Sequence, residues 1–429
     1  MGIMLNLRNQ FLSCFLYGTI SFAQTGWTWT ELDTMPFRIS NNAVASGTVA
    51  GTSHVYSFGG IDTTKIYSGI SNRAFRYNYT TTTWDEIANT PNTLPLIASA
   101  ASTVKNKIYI IGGYHVYSNG SETSSNEVII YNPELNSYET NGDVVPVPID
   151  DQTQCVWRDS LIYVISGWSN TGNVSNVQIY NPELNTWSVG TPVPNLNTYK
   201  VFGSSGFILG DTIFYFGGAS GGFNFPAGKI LRKGIIDPID PTQIMWSIEE
   251  DATNNNYRSA CLGYGNSMYW VGGSSTSYNY DGSAYNGSGG VDPLFQIMRY
   301  DALTQTWFAG TGAPFGAMDL RGVAQVGPTA WVICGGMEEN QKVTNKTYLL
   351  EFDPVVGAIK SNEIFTFLIV NRQLIFNEKV DEILVYSVDG KLLQRVDVFQ
   401  PMIDEKISGL VLVSVKSDQK IKTIKIILD

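Results

Sequence analysis

The chain has 429 residues, of which 12% are aromatic and 42 are glycine, and its formal net charge is −11. This composition, with little sign of amphipathic helix, is typical of an all-β repeat protein. An acidic chain without a basic stripe is a poor match for nucleic acid or for an anionic membrane surface, so we expect no nucleic-acid partner.

Residues 1–24 have the pattern of a secretory signal peptide. Arg8 precedes a mostly apolar run, and Ser21 and Ala23 are the small residues expected before a cleavage site. The apolar run is too short for a spanning helix and no other segment qualifies, so we expect no membrane-spanning segment. A lipid anchor at Cys14 is the alternative interpretation.

A nine-residue phrase occurs twice in the next part of the chain. IYNPELNSY at 130–138 returns as IYNPELNTW at 179–187. In each copy a tyrosine is followed seven residues later by a second aromatic residue, with a turn-forming segment between them. The pairs with this spacing are Tyr77 and Trp84, Tyr131 and Tyr138, Tyr180 and Trp187, and Tyr300 and Trp307. The pattern predicts a strand, a tight turn and a returning strand, used at least four times.

A second marker, a glycine pair after a short apolar run, precedes each phrase. The pairs are Gly59-Gly60, Gly112-Gly113, Ser166-Gly167, Gly217-Gly218, Gly272-Gly273 and Gly335-Gly336, and their first members lie 51 to 63 residues apart. Eleven residues before each pair stands a small residue: Thr48, Ala101, Cys155, Gly206, Cys261 and Ala324. We expect these small residues on inner strands that crowd around an axis, and the glycines where a side chain would clash or φ is positive.

A glycine pair followed by spaced tyrosine and tryptophan resembles the kelch repeat. Kelch repeats are the four-stranded blades of β-propellers and are about 50 residues long. The resemblance covers residues 25–357, and six glycine pairs predict a six-bladed kelch-type propeller.

The sixth repeat lacks its own outer aromatic strand. No tryptophan follows seven residues after Phe352, but Trp29-Thr-Glu-Leu near the start of the chain is similar to Trp84-Asp-Glu-Ile. We therefore expect the N-terminal strand to complete the last blade and close the ring. Closure removes a strand edge that would otherwise be open to aggregation.

Few residues in the chain suggest metal or redox chemistry. Cys155, Cys261 and Cys334 are expected to be buried small residues without a disulfide, since the first two lie two blades apart. His54 is predicted to be a surface residue in a hairpin turn, and His115 follows a glycine pair in a loop. We expect no cofactor and no metal site, and the sequence assigns no catalytic residue.

The loops of one propeller face carry the candidate site. In a meander of strands a to d, the b–c and d–a loops emerge on the same face. The b–c loops contain Tyr114, Tyr117, Trp168, Phe223, Phe225, Tyr278, Tyr280 and Tyr285. The d–a loops bring Arg258 and Arg321, each 14 residues before its glycine pair. The arginines are interpreted either as a salt bridge between blades or as sugar ligands beside stacking rings. The candidate ligand face consists of Tyr114, Trp168, Tyr278, Tyr280, Arg258 and Arg321.

The chain changes character after about Gly357. Residues 358–429 have no glycine pair and show short alternating strands, with an Asp389-Gly390 hairpin between apolar runs. They predict a small β-sandwich that resembles the C-terminal sorting domain of the bacterial type IX secretion system. The resemblance implies that residues 361–429 engage the secretion machinery. It also implies a protein that is secreted or held at the surface of a Gram-negative bacterium after passing through the periplasm. An ordinary accessory β-sandwich is the alternative.

Two classes of function follow from these patterns. The first is a non-catalytic module that binds a glycan or a protein. The second is a sugar-modifying enzyme similar to N-acetylneuraminate epimerase, a six-bladed kelch protein, in which Arg258 and Arg321 would pair with the sugar carboxylate. The sequence offers no evident general acid or base, and a propeller fold does not imply activity. Binding is therefore the favoured interpretation.

Overall fold

The computed structural model describes residues 26–249, 251–352, 367–370, 372–376, 380–398, 400–417 and 420–428. The predicted signal peptide and the predicted boundary at Gly357 lie outside the described residues. The chain divides into two compact units, Met1–Pro354 and Val355–Asp429.

The described part of the first unit consists of antiparallel β-sheets, six of them four-stranded. Strand β1 (Trp27–Leu32) precedes the first. Sheet I contains β2 (Ala43–Val49), β3 (Thr52–Phe58), β4 (Ala74–Asn78) and β5 (Thr83–Ile87). Sheet II contains β6 (Ala100–Val104) and β7 (Lys107–Ile111), then the small hairpin β8 (Tyr114–Val116) and β9 (Glu122–Ser124), then β10 (Val128–Asn132) and β11 (Ser137–Tyr138).

The following sheets repeat this order. Sheet III contains β12 (Thr153–Trp157) and β13 (Leu161–Ile165), the small hairpin β14 (Trp168–Ser169) and β15 (Gly172–Asn173), then β16 (Val177–Asn181) and β17 (Thr186–Val189). Sheet IV contains β18 (Val201–Leu209), β19 (Thr212–Ser220), β20 (Leu231–Ile236) and β21 (Ile244–Ile248). Sheet V contains β22 (Ala260–Tyr264), β23 (Ser267–Val271), β24 (Gln296–Asp301) and β25 (Thr306–Gly312).

Sheet VI combines both ends of the first unit. It contains β26 (Ala324–Gly327) and β27 (Ala330–Cys334), the small hairpin β28 (Met337–Glu338) and β29 (Lys342–Val343), then β30 (Thr347–Phe352), and β1 as its outer strand. Trp27 of β1 lies opposite Phe352 and Leu32 opposite Thr347. The Trp27 side chain is 6% exposed and packs edge-on against Tyr269, with ring centroids 5.1 Å apart.

Apolar clusters join neighbouring sheets. Separate clusters connect sheets I and II, II and III, III and IV, IV and V, V and VI, and VI and I. The first strands of all six sheets also line a central cavity of about 330 Å³. Ala101, Cys155, Gly206 and Cys261, four of the small residues predicted on inner strands, line this cavity. Their size leaves room at the point where the strands approach most closely.

The repeated phrase is explained by a local packing unit. Tyr131 lies directly opposite Tyr138, and Tyr180 opposite Trp187, so the two aromatic residues of each phrase are cross-strand neighbours. The first tyrosine is fully buried, and its hydroxyl donates a hydrogen bond to the turn, Tyr131 Oη to Asn136 Oδ1 at 2.6 Å. Each copy thereby anchors its own hairpin.

The glycines of the repeated pairs occupy positions where a side chain would be crowded, and only sheet III has another residue, Ser166, at the first position. Gly272 has φ of +64°, and a Cβ there would lie 2.1 Å from the carbonyl oxygen of Ala317. Glycine alone fits this left-handed, crowded conformation at the end of β23.

The structure corrects one expectation about the histidines. His54 was predicted at the surface, but it lies within β3 and is only 4% exposed. It pairs with Gly47 of β2, which has no side chain, and with Asn78 of β4. Burial lowers the pKa of the His54 imidazole. All three cysteines are free thiols; Cys155 and Cys334 are buried, as predicted, whereas Cys261 is only half-buried.

The described part of the second unit is also β-structure. A hairpin, β31 (Phe367–Val370) and β32 (Gln373–Phe376), accompanies a four-stranded sheet of order β34-β33-β35-β36. The strands of that sheet are β33 (Glu382–Ser387), β34 (Leu392–Val396), β35 (Gly409–Ser417) and β36 (Lys420–Leu428). Val411, Val413 and Val415 alternate into its core. The predicted hairpin joins β33 to β34, with Gly390 at φ of +86°.

The prediction of an all-β fold is confirmed. Helix in the described residues is limited to two 3-10 turns, Tyr67–Gly69 and Glu339–Gln341. Among the same residues there is no helix with the length and apolar character that crossing a membrane requires.

Candidate functional site

The segments before the first strands and after the glycine pairs meet on one face, as predicted. Antiparallel bridges join Ile97 to Tyr114 in sheet II and Asp150 to Trp168 in sheet III. Equivalent bridges join Tyr257 to Ser274 and Met318 to Met337 in sheets V and VI. This face is called the bridge face below.

One left-handed residue recurs on the bridge face of every sheet. These residues are Asn41, Ala98, Asp151, Gly203, Arg258 and Asp319, with φ between +49° and +67°. Equal spacing to the glycine pair suggested that Arg258 and Arg321 were equivalent. The structure places Asp319 at the position of Arg258, because the segment before the glycine pair is two residues longer in sheet VI.

Arg258 joins three sheets through buried ion pairs. Its Nε and Nη2 atoms donate to the two carboxylate oxygens of Asp151, at 3.0 and 2.5 Å. Its Nη1 donates to Asp319 Oδ1 at 2.9 Å. The arginine is 1% exposed, and the carboxylates raise its pKa despite the opposing effect of burial. The salt-bridge interpretation of Arg258 is confirmed.

Arg321 belongs to the same cluster but faces the central cavity. Its Nη1 lies 3.4 Å from Asp151 Oδ1, and its Nη2 donates to the carbonyl oxygen of Gln152 at 3.0 Å. Arg321 and Gln152 line the central cavity below the bridge face. Both arginines therefore already have partners within the protein.

The bridge face contains a second cavity of about 390 Å³, the bridge cavity. It is lined by Tyr114, Gly120, Glu122, Asp150, Asp151, Trp168, Asn170, Phe202, Phe225, Arg258, Asn279 and Tyr285. Trp168, Phe225 and Tyr285 form an aromatic wall, with ring centroids 5.5 Å apart for the first two and 5.2 Å for the last two. The polar part of the lining consists of carboxyl and amide side chains together with Tyr114 and Arg258.

Asp150 is held rigidly in this lining. Its Oδ2 accepts a hydrogen bond of 2.5 Å from Ser124 Oγ, which in turn accepts one of 2.8 Å from the backbone N–H of Asn170. Asp150 is 3% exposed, and burial, followed by the neighbouring Asp151, raises its pKa well above the ordinary range. Desolvation by the surrounding lining also raises the pKa of Glu122, although its side chain remains exposed at the mouth of the small hairpin and the effect is weaker than at Asp150. The bridge cavity thus contains two carboxyl groups that are readily protonated.

Only some of the residues predicted for the ligand face line the bridge cavity. Tyr114, Trp168 and Arg258 line the bridge cavity. Tyr278 does not: it is fully buried and packs edge-on against Tyr257, so its expected place on the ligand face is wrong. Tyr280 is half-buried against the apolar cluster that contains Tyr114.

Sequence reasoning missed Glu122, Asp150, Asp151 and Phe202. Asp150 and Asp151 begin the run DDQ immediately before β12, where the equivalent segment of sheet II reads IAS. That local change from uncharged to charged residues was the available signal. Among the described residues, no group of three or more His, Cys, Asp or Glu side chains is arranged to hold a metal ion.

Replacing the buried carboxyl group of Asp150 should change how the free energy of unfolding depends on pH. The folded state raises the pKa of Asp150 and therefore favours its protonated form. The stability that this preference contributes is fully present below about pH 4, and it is lost as the pH rises through the raised pKa. We expect Asp150→Asn to stabilise the protein at pH 7 by roughly 1–3 kcal/mol, the penalty of one poorly matched buried polar group. The gain should vanish near pH 4.

Urea unfolding at both pH values measures this effect. Exposed Glu339, replaced as Glu339→Gln, is the matched control and should change stability little at either pH. An Asp150→Asn variant that is less stable than the parent at pH 7 contradicts the assignment.

Comparisons with known proteins agree with this architecture. The KLHDC2/KLHL20/DRC7 Kelch-repeats domain matches residues 16–218. The chain is 24% identical over 233 residues to Kelch repeat and BTB domain-containing protein 12 of Homo sapiens, covering 51% of this chain and 35% of that protein. It is 24% identical over 170 residues to Kelch-like protein 36 of Bos taurus, covering 40% and 26%. The chain thus spans about a third or less of the length of these relatives. The solved structure of YjhT matches with a TM-score of 0.59 and 13% identity, covering 81% of this chain and 99% of that one.

Proposed function

We propose that this chain, a kelch-repeat protein with a propeller fold, is a non-catalytic module that binds a saccharide in the bridge cavity. The observation that carries the proposal is a cavity of about 390 Å³ whose lining combines an aromatic wall with polar side chains. Sites for small ligands have volumes of roughly 300–1,000 Å³ and place a few polar groups among apolar ones. Aromatic faces stack on sugar rings, while carboxyl and amide groups bond to hydroxyls. A protein ligand is less favoured because these rings line a concavity.

Removing the tryptophan of the aromatic wall should weaken binding. Trp168 is half-buried and contacts Phe202 and Phe225 by its ring edges. We expect Trp168→Ala to cost about 1–2 kcal/mol of binding free energy, roughly a 5- to 30-fold rise in Kd, since one stacking contact is lost. A glycan array identifies the ligand, and calorimetry measures the change.

Phe223→Ala is the matched control. Phe223 is an aromatic residue of sheet IV that is 91% exposed and lies outside the bridge cavity. Its loss should leave the Kd unchanged. Equal changes in Kd for Trp168→Ala and Phe223→Ala would show that the ligand binds outside the bridge cavity.

A sugar-modifying enzyme similar to N-acetylneuraminate epimerase is the second candidate. The buried carboxyl group of Asp150, with its raised pKa, favours it, because a general acid must hold its proton near neutral pH. Against it, Arg258 is already paired with Asp151 and Asp319, which leaves little of its charge for a sugar carboxylate. Interconversion of the two anomers of sialic acid, followed by NMR, distinguishes the candidates: turnover that Asp150→Asn abolishes supports the enzyme.

We infer that sheets I to VI form a closed ring of six blades. The apolar clusters that link each sheet to the next include one between sheets VI and I, which supports closure. The pairing of β1 with β30 supplies the outer strand of sheet VI. In this arrangement β1 closes the ring.

Export through a C-terminal sorting domain is also proposed. Its support is the resemblance of residues 361–429 to such domains, together with their separation from the first unit. Deleting residues 361–429 should leave a folded propeller in the periplasm, because the export signal is lost and the core of the propeller is retained.

Cell fractionation of an expressing Gram-negative host that has the secretion system measures this outcome. The full-length chain, which should reach the surface or the medium, is the control. A truncated protein that still appears outside the cell contradicts the sorting role.

A further inference from the structure

We propose that the bridge cavity selects saccharides that carry a free, protonated amine. The inference rests on the proposed saccharide binding and specifies the ligand class. It concerns the polar half of the cavity, where Glu122 and Asp150 face the aromatic wall.

The balance of charge around the bridge cavity favours a cation. Four carboxyl groups, those of Glu122, Asp150, Asp151 and Asp319, surround the two guanidinium groups of Arg258 and Arg321. The arginines pair with Asp151 and Asp319. Within the described residues Glu122 and Asp150 form no salt bridge and only sense the charge of Arg258, which is already paired, so an entering ammonium group would be their first direct cationic partner.

Tyr114 gives an independent indication of a missing polar partner. Its side chain lines the cavity and is 5% exposed. No hydrogen bond of its hydroxyl to another described residue is found, and the hydroxyl is not one of the fully buried unpaired side-chain atoms, so it is open to the bridge cavity. The hydroxyl oxygen can accept a hydrogen bond from an ammonium N–H beside the carboxyl groups.

The aromatic wall attracts the same chemical group. Ring faces carry partial negative charge, and desolvated sites strengthen the attraction of a cation to tryptophan and tyrosine. Trp168 and Tyr285 lie in the same lining as Glu122 and Asp150. A sugar with an anionic group would instead meet carboxyl groups that have no free countercharge.

Binding of an ammonium group should be coupled to proton release. Glu122 and Asp150 are surrounded by Asp151, Arg258 and the tyrosines Tyr114, Tyr280 and Tyr285. Burial raises the pKa of both carboxyl groups, and an adjacent cation lowers it, so the bound state holds fewer protons. Affinity therefore falls as the pH is lowered through these pKa values.

Three β-1,4-linked tetrasaccharides that differ only at carbon 2 test the proposal on the full chain by calorimetry. They are the glucosamine, N-acetylglucosamine and glucose tetramers. We expect the glucosamine tetramer to bind about tenfold or more tightly than the other two, and this preference to weaken at low pH. The Glu122→Gln/Asp150→Asn double variant should lose the preference and be no less stable than the parent at pH 7, while Glu339→Gln should keep both the preference and the melting temperature of the parent.

The outcomes separate the inference from the function on which it rests. Equal or tighter binding of the acetylated or neutral tetramer, or of a sialylated glycan, overturns the amine selectivity and leaves saccharide binding intact. Failure of all three tetramers, with no saccharide captured on an array, overturns both. If the double variant unfolds, Glu122→Gln alone and the pH dependence of the parent decide the question.

Discussion

Deletion of residues 24–34 is expected to make the protein aggregate. The deletion removes β1 and leaves the backbone groups of β30 without their partner strand. It also removes Trp27 from a cluster with Tyr269 and Trp331. Loss of one large buried aromatic side chain costs about 3–5 kcal/mol, a large share of the 5–15 kcal/mol that stabilises typical proteins. An unpaired, apolar strand edge then templates association.

Size-exclusion chromatography and thermal unfolding measure this result. Removing residues 1–23 alone leaves β1 in place and serves as the control, which should not aggregate. A monomer with an unchanged melting temperature after deletion of residues 24–34 would show that β1 does not close the ring.

Arg258→Ala should be the most damaging single substitution on the bridge face. It leaves Asp151 and Asp319, which are 2% and 0% exposed, without their shared cation. Removing one partner of a buried ion pair costs about 3–5 kcal/mol, because the remaining charge stays desolvated. We expect that loss in urea unfolding at pH 7, and a smaller loss at low pH, because burial raises the pKa of Asp319 and this carboxylate becomes protonated as the pH falls.

Arg73→Ala provides the comparison for this substitution. Arg73 forms a similar pair with Glu86 at 2.8 Å, but both side chains are partly exposed. Such a pair contributes about 0–1 kcal/mol. Equal losses for the two arginine variants would contradict the view that the Arg258 cluster holds sheets III, V and VI together.

The fold was predictable because its determinants are local. The tyrosine and tryptophan seven residues apart become cross-strand neighbours within one hairpin, and the glycine pair marks a strand end that excludes side chains. Each repeat therefore contains the residues that determine its own hairpin and strand end. The all-β architecture and the face that carries the cavity both followed from these short-range patterns.

The candidate site was less predictable because its contacts join distant parts of the chain. Arg258 bonds to Asp151 and Asp319, which lie 107 and 61 residues away. Spacing alone could not show that Asp319, and not Arg321, occupies the position of Arg258, since the lengths of the segments differ. Nor could it show that Tyr278 turns into the core.

A crystal structure of the protein with the tightest-binding saccharide tests the central claim most directly. The account predicts the sugar in the bridge cavity, with a ring stacked on Trp168 or Tyr285 and polar contacts to Glu122 and Asp150. A sugar bound on the opposite face, or on the second unit, with the bridge cavity holding only water, would contradict it.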